Sequence, residues 1–122
     1  MVLSSFMWSQ TTYTSPYTQH FPSGLIEDIN RKIIVSDQEI TIISDTPEGK
    51  DIQSLIIQSR LKNEDGDPIF VCTSKDGRVL TTALLQTNDP PSLDLIQSDP
   101  NDPEVQLHYR FLLDLSFRQP EN

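Results

Sequence analysis

Few residues in this chain combine the types and spacing that chemistry needs. The two histidines, His20 and His108, and the one cysteine, Cys72, lie far apart in sequence, and nothing in their spacing makes a zinc signature. A serine nucleophile needs a base and a strained elbow such as G-x-S-x-G, and that motif is absent. Cys72 stands inside the apolar run Ile69-Phe70-Val71-Cys72 with no basic neighbour to lower its pKa, so it reads as a buried, inert thiol. Asn63-Glu64-Asp65-Gly66-Asp67 gathers oxygen donors around a glycine as calcium loops do. It lacks the alternating D-x-D-x-D-G spacing and a Glu six positions after the glycine, so it reads as a solvated hairpin loop. The four glycines, Gly24, Gly49, Gly66 and Gly77, are isolated and turn-like, which does not support a phosphate-binding loop. Eighteen acidic residues offer many carboxylate pairs, and nothing selects one for acid–base work. Neither catalysis, a cofactor nor a metal is expected.

Those residues must be positioned by strands. From 105 to 118 the sequence alternates without a break: Val105, Leu107, Tyr109, Phe111, Leu113, Leu115 and Phe117 on one face, and Gln106, His108, Arg110, Leu112, Asp114, Ser116 and Arg118 on the other. This predicts an unusually long strand that bends or serves two sheets, with His108 as a surface residue on a wet face. Phe111→Asp should then unfold the protein, and Arg110→Asp should cost little. Asp102-Pro103-Glu104 also resembles a helix start, which is the alternative for this segment.

Further β signals come earlier in the chain. Residues 31–35 and 40–43 read as two β-branched strands joined by a loop at 36–39. Residues 47–61 fit a helix or a strand, with strand preferred because a meander follows. Asp76-Gly77 between two apolar runs predicts a tight type I′ hairpin. Pairing outward from that turn sets Ile69, Val71, Leu80 and Leu84 on one face and Phe70, Cys72, Val79, Ala83 and Leu85 on the other. Both faces are apolar, so both should be covered. Residues 86–104 form a long acidic connection, broken by prolines, with a short strand at 93–97.

Residues 1–26 differ from all of this. They contain no Asp, Glu, Lys or Arg, and they hold Phe6, Trp8, Tyr13, Tyr17 and Phe21, with Ser, Thr and Gln between the rings. No period is sustained. The segment therefore reads as an irregular aromatic arm, and rings of this kind dominate binding hot spots. The five aromatics are the expected partner-binding residues. Docking on a neighbouring chain is preferred to sealing the protein's own core, so a chain lacking residues 1–23 should stay folded and lose association.

Charge excludes some partners. A net charge of −9 opposes phosphate backbones and anionic lipid, so neither nucleic acid nor membrane is an expected partner. The expected fold is all-β, about seven mostly antiparallel strands in a two-layer sandwich, with the irregular arm at residues 1–26, one β domain at 27–118 and a polar tail at 119–122. The expected function is a non-enzymatic structural or interaction subunit of a larger protein assembly, such as a virion, made in the cytoplasm and docking through its arm. The alternatives are an acidic inhibitor that mimics a polyanion, or a small carbohydrate- or peptide-binding module.

Overall fold

A computed structural model describes residues 10–86, 90–99 and 101–119. Its strands are β1 (Thr11–Phe21), β2 (Ile26–Glu27), β3 (Arg31–Val35), β4 (Glu39–Thr46), β5 (Gly49–Lys62), β6 (Pro68–Thr73), β7 (Leu80–Gln86), β8 (Ser92–Asp99) and β9 (Asp102–Gln119). Among the described residues there is no helix: Pro47 and Glu48 form the turn between β4 and β5, and 49–61 and 102–117 are strand.

Alternation decides the faces. In β4, Ile40, Ile42 and Ser44 are buried while Thr41 and Ile43 between them are not; their ladder partners Ile33 in β3 and Leu55 in β5 are buried with them. Leu93 and Leu95 of β8 and Phe111 and Leu113 of β9 join the same core. Each fully buried aliphatic side chain contributes about 1.5–3 kcal/mol gross.

From β3 to β9 every strand runs antiparallel to the next. β1 then pairs with β3 along one edge and with β9 along the other, so the sheet closes on itself. The result is an eight-stranded antiparallel barrel. β2 is an addition, continuing the β3 edge of β1 through Thr18↔Glu27 and Gln19↔Ile26.

This corrects the expected two-layer sandwich of about seven strands. The stave that closes the ring lies within the segment read as an irregular arm, whose residues 11–21 form a strand. Its period is hidden for two reasons. The inward residues Tyr13, Ser15, Thr18 and His20 carry polar groups, and the register against β9 shifts between Thr14 and Tyr17, where Pro16 has no N–H to donate. Of the five expected partner-binding rings, Tyr13 is buried in the core, Tyr17 and Phe21 lie on the outer wall, and Phe6 and Trp8 fall outside the described residues.

The hairpin at Asp76-Gly77 forms, with a looser turn than expected. β6 and β7 pair from Thr73↔Leu80 to Ile69↔Leu84, leaving six residues, 74–79, in the loop. Only Gly77 has a positive φ there, 76°, so this is not a type I′ turn. The Ser74 hydroxyl donates to Asp76 Oδ1 at 2.6 Å and accepts from the Val79 N–H, holding the wider loop. The two faces sort as expected within the strands: Phe70, Cys72, Ala83 and Leu85 enter the core. The outer face is not fully covered, and Leu80 on it is exposed.

Candidate functional site

A barrel of eight strands leaves an interior that side chains fill or that holds one small ligand. Here the filling is uneven. The middle is aliphatic, but one mouth is lined by groups that prefer water. A cavity of about 270 Å³ opens there, near the lower limit of about 300 Å³ for ordinary ligand pockets. Ile42, Leu95 and Phe111 give it an apolar floor, and Thr18, His20, Glu27, Arg31, Ser44, Asp51, Gln53, Gln97 and Tyr109 supply the polar wall.

Arg31 organises this wall. At the start of β3 it sits opposite Ser15 of β1 and Ser44 of β4, and its side chain is only 13% exposed. A guanidinium this covered must place its N–H groups. Nε donates to Ser44 Oγ at 2.8 Å, one Nη donates to Thr18 Oγ1, and the other donates to Glu27 Oε1 at 3.2 Å. Its carbon lies 5.4 Å from the centre of the Phe111 ring, close enough for a cation–π contact. β2 positions Glu27, whose Oε1 is also 3.4 Å from His20 Nε2. The His20 ring meets Tyr109 edge-on at 5.1 Å. Burial pushes the Glu27 carboxyl pKa up, but hydrogen bonds from Arg31 and His20 outweigh it and hold the group below its ordinary value.

Asp51, Gln53 and Gln97 face the same cavity, and their side chains are held by no hydrogen bond or ion pair to another described residue. Behind Gln97, its ladder partner Thr81 has a fully buried hydroxyl with no partner among the described residues. The wall therefore combines fixed groups around Arg31 with unengaged carboxylate and amide groups at the rim. Such a mixture can bind a small polar molecule. It offers no positioned nucleophile.

At the opposite mouth a smaller cavity, about 210 Å³, is lined by Arg60, which donates to the Asp37 carbonyl and lies 5.9 Å from the Phe70 ring centre.

On the outer wall, Asp94 is 7% exposed because Arg110 grips it with two hydrogen bonds, 2.9 and 3.0 Å, while His108 Nε2 lies 3.3 Å from it. Phe21 stacks on His108 at 4.6 Å and sits 5.1 Å beneath the Arg110 guanidinium. This cluster straps β1, β8 and β9 together. It also shows that the face of β9 expected to be wet is partly covered.

Cys72 is fully buried in the core, and burial pushes its thiol up to about 11, with Arg60 opposing weakly. Among the described residues no group of three or more His, Cys, Asp and Glu side chains is placed to hold a metal ion. Asn63 instead uses its carboxamide oxygen to accept the N–H groups of Asp65 and Asp67, which closes the acidic loop on itself.

Sequence reasoning weighed His20, met Arg31 only as a member of the strand at 31–35, and passed over Glu27. Their convergence depends on barrel closure, which brings β1, β2, β3 and β9 to one mouth. Fold and site together define a closed antiparallel barrel with one half-polar mouth. No protein-family model, curated protein or solved structure matches this chain.

Proposed function

We propose that this protein is a non-enzymatic binding module that holds a small polar molecule, or the end of a carbohydrate or peptide chain, in the half-polar barrel mouth. The observation that carries this reading is the group Thr18, Glu27, Arg31 and Ser44, turned inward where a barrel of this size ordinarily packs apolar side chains. An ion pair whose Glu27 side is 37% exposed contributes little to stability alone, because water screens it while the covered Arg31 still loses hydration. Mouths of barrels are also a preferred location for ligand sites. The apolar-in, polar-out alternation, with Lys32, Asp45 and Arg110 on the outside, is the reverse of a lipid-facing barrel and supports work in water. Amide spectra of the full chain, recorded against a panel of small polar compounds, test the reading. Saturable shifts confined to residues lining the mouth are expected. A panel covering sugars, amines, carboxylates and dipeptides that shifts none of them would overturn it.

A second reading keeps the structural or interaction subunit, docking on neighbouring chains. It draws support from Tyr17, 45% exposed on the outer wall opposite Leu112, with Ile26 exposed on the adjoining β2. Sedimentation of the wild type and of Tyr17→Ser tests it: association that the substitution abolishes supports the reading, and a monomer at all concentrations ends it.

A further inference from the structure

Resting on the ligand-binding reading, we infer that the molecule held in the mouth is a saccharide, with one sugar ring seated between Tyr109, Gln53 and Gln97. The chemistry of the groups left unengaged separates the candidate classes.

An anion is disfavoured. Arg31 is the one cation lining the cavity that is charged at any ordinary pH, and Ser44, Thr18, Glu27 and the Phe111 face already occupy it. An incoming carboxylate or phosphate would also meet Glu27 and Asp51. A cation finds little more. Glu27 is committed to Arg31 and His20, which leaves Asp51 alone on an exposed rim, where a single ion pair contributes little. A peptide bound as an added strand would take the open edge of β5 at residues 49–55 or of β9 at 102–107, and would leave the groups inside the cavity unengaged.

A sugar ring meets the remaining requirements. Its hydroxyls both donate and accept, and the free groups at the rim do the same between them: Asp51 accepts, and the Gln53 and Gln97 amides do both. Carboxylates and amides are planar and present two polar atoms side by side, which matches two neighbouring hydroxyls. The C–H face of the ring finds Tyr109 and the floor of Ile42, Leu95 and Phe111. Thr81 supplies an independent observation. It pairs directly with Gln97, so the two side chains share the inward face, and its buried hydroxyl has no partner among the described residues. Thr81 lies behind the cavity wall rather than on it, so its hydroxyl is an unmet hydrogen bond one ladder step behind Gln97 that a water carried in with the ligand would satisfy.

The experiment titrates the full chain with D-glucose, D-galactose, D-mannose and N-acetylglucosamine, and in parallel with butylammonium, acetate and glycylglycine. The side-chain amides of Gln53 and Gln97 and the Nε–H of Arg31 are read in proton–nitrogen spectra. At least one sugar should shift all three saturably, and Gln97→Ala should weaken that sugar about tenfold with its circular dichroism unchanged, because an unpaired polar group in a site is penalised strongly. If butylammonium, acetate or glycylglycine saturates the site and no sugar does, the saccharide inference falls while the binding mouth stands. Sugar binding untouched by Gln97→Ala would place the sugar elsewhere and overturn the inference. A panel in which nothing binds removes both.

Discussion

At the scale of the residue, Glu27 and Arg110 show how little a side chain's type reveals about its work. The Glu27 pKa lies below its ordinary value of 4.5 because the hydrogen bonds from Arg31 and His20 outweigh the effect of burial. A carboxyl with a depressed pKa contributes stability that is present above the unfolded value and lost as pH falls through the folded one. Melting temperature should therefore drop below about pH 4.5, and Glu27→Gln, which cannot titrate, should melt lower at neutral pH and lose less on acidification. Equal slopes for the two proteins would contradict this. Arg110 reverses an expectation. From the alternation of residues 105–118 it belongs on a wet face, where Arg110→Asp costs little. Its grip on nearly buried Asp94 makes the substitution expensive, roughly 2–4 kcal/mol, since it strands one carboxylate against another. Chemical denaturation of this variant beside Phe111→Asp measures both costs. Neither partnership was legible beforehand, because Asp94 meets Arg110 only through the pairing of β8 with β9.

At the scale of the element, the strands whose inward side is aliphatic were legible and the one whose inward side is polar was not. β3, β4, β6, β7 and β9 announce themselves by Ile, Val, Leu and Phe at alternate positions or by β-branched runs. In β1 the inward side runs Tyr13, Ser15, then Thr18 and His20, so the alternation changes phase at Pro16–Tyr17 and carries polar groups on both sides of the break, and hydropathy is blind to it. Its placement changes what a truncation should do. Without residues 1–23 the chain loses β1, both seams to β3 and β9, and the buried Tyr13. The expectation that such a chain stays folded gives way to the opposite one, a barrel that does not form. Circular dichroism and a thermal melt of the shortened chain check this, and a cooperative melt near that of the parent would refute it. The candidate mouth was hidden for the same reason, since two of its groups, Thr18 and His20, ride on β1.

At the scale of the whole molecule, the all-β class followed from strand signals between residues 31 and 118, while the choice between sandwich and barrel did not. Both architectures bury one face of each strand and leave the other outward, so alternation alone cannot separate them. The difference rests on a single pairing, β1 with β9. Closing that pair also creates an inside with two ends, and the ends differ: exposed Arg60 lies at one, and the largely covered Arg31 group lines the other.

That one pairing also sets the order of events when the chain folds. Thr18 must find Phe111, and His20 must find Tyr109, across almost the full length of the sequence. A nascent chain leaving the ribosome offers β1 early, then withholds its second neighbour until the last strand emerges. Through that interval the inner side of β1 adds little beyond Tyr13 to the apolar surface that the other strands leave open to a wrong partner. The other ladders join strands close in sequence, so this one non-local closure is the step expected to slow folding. The residues that make β1 hard to see are thus the ones that let it wait.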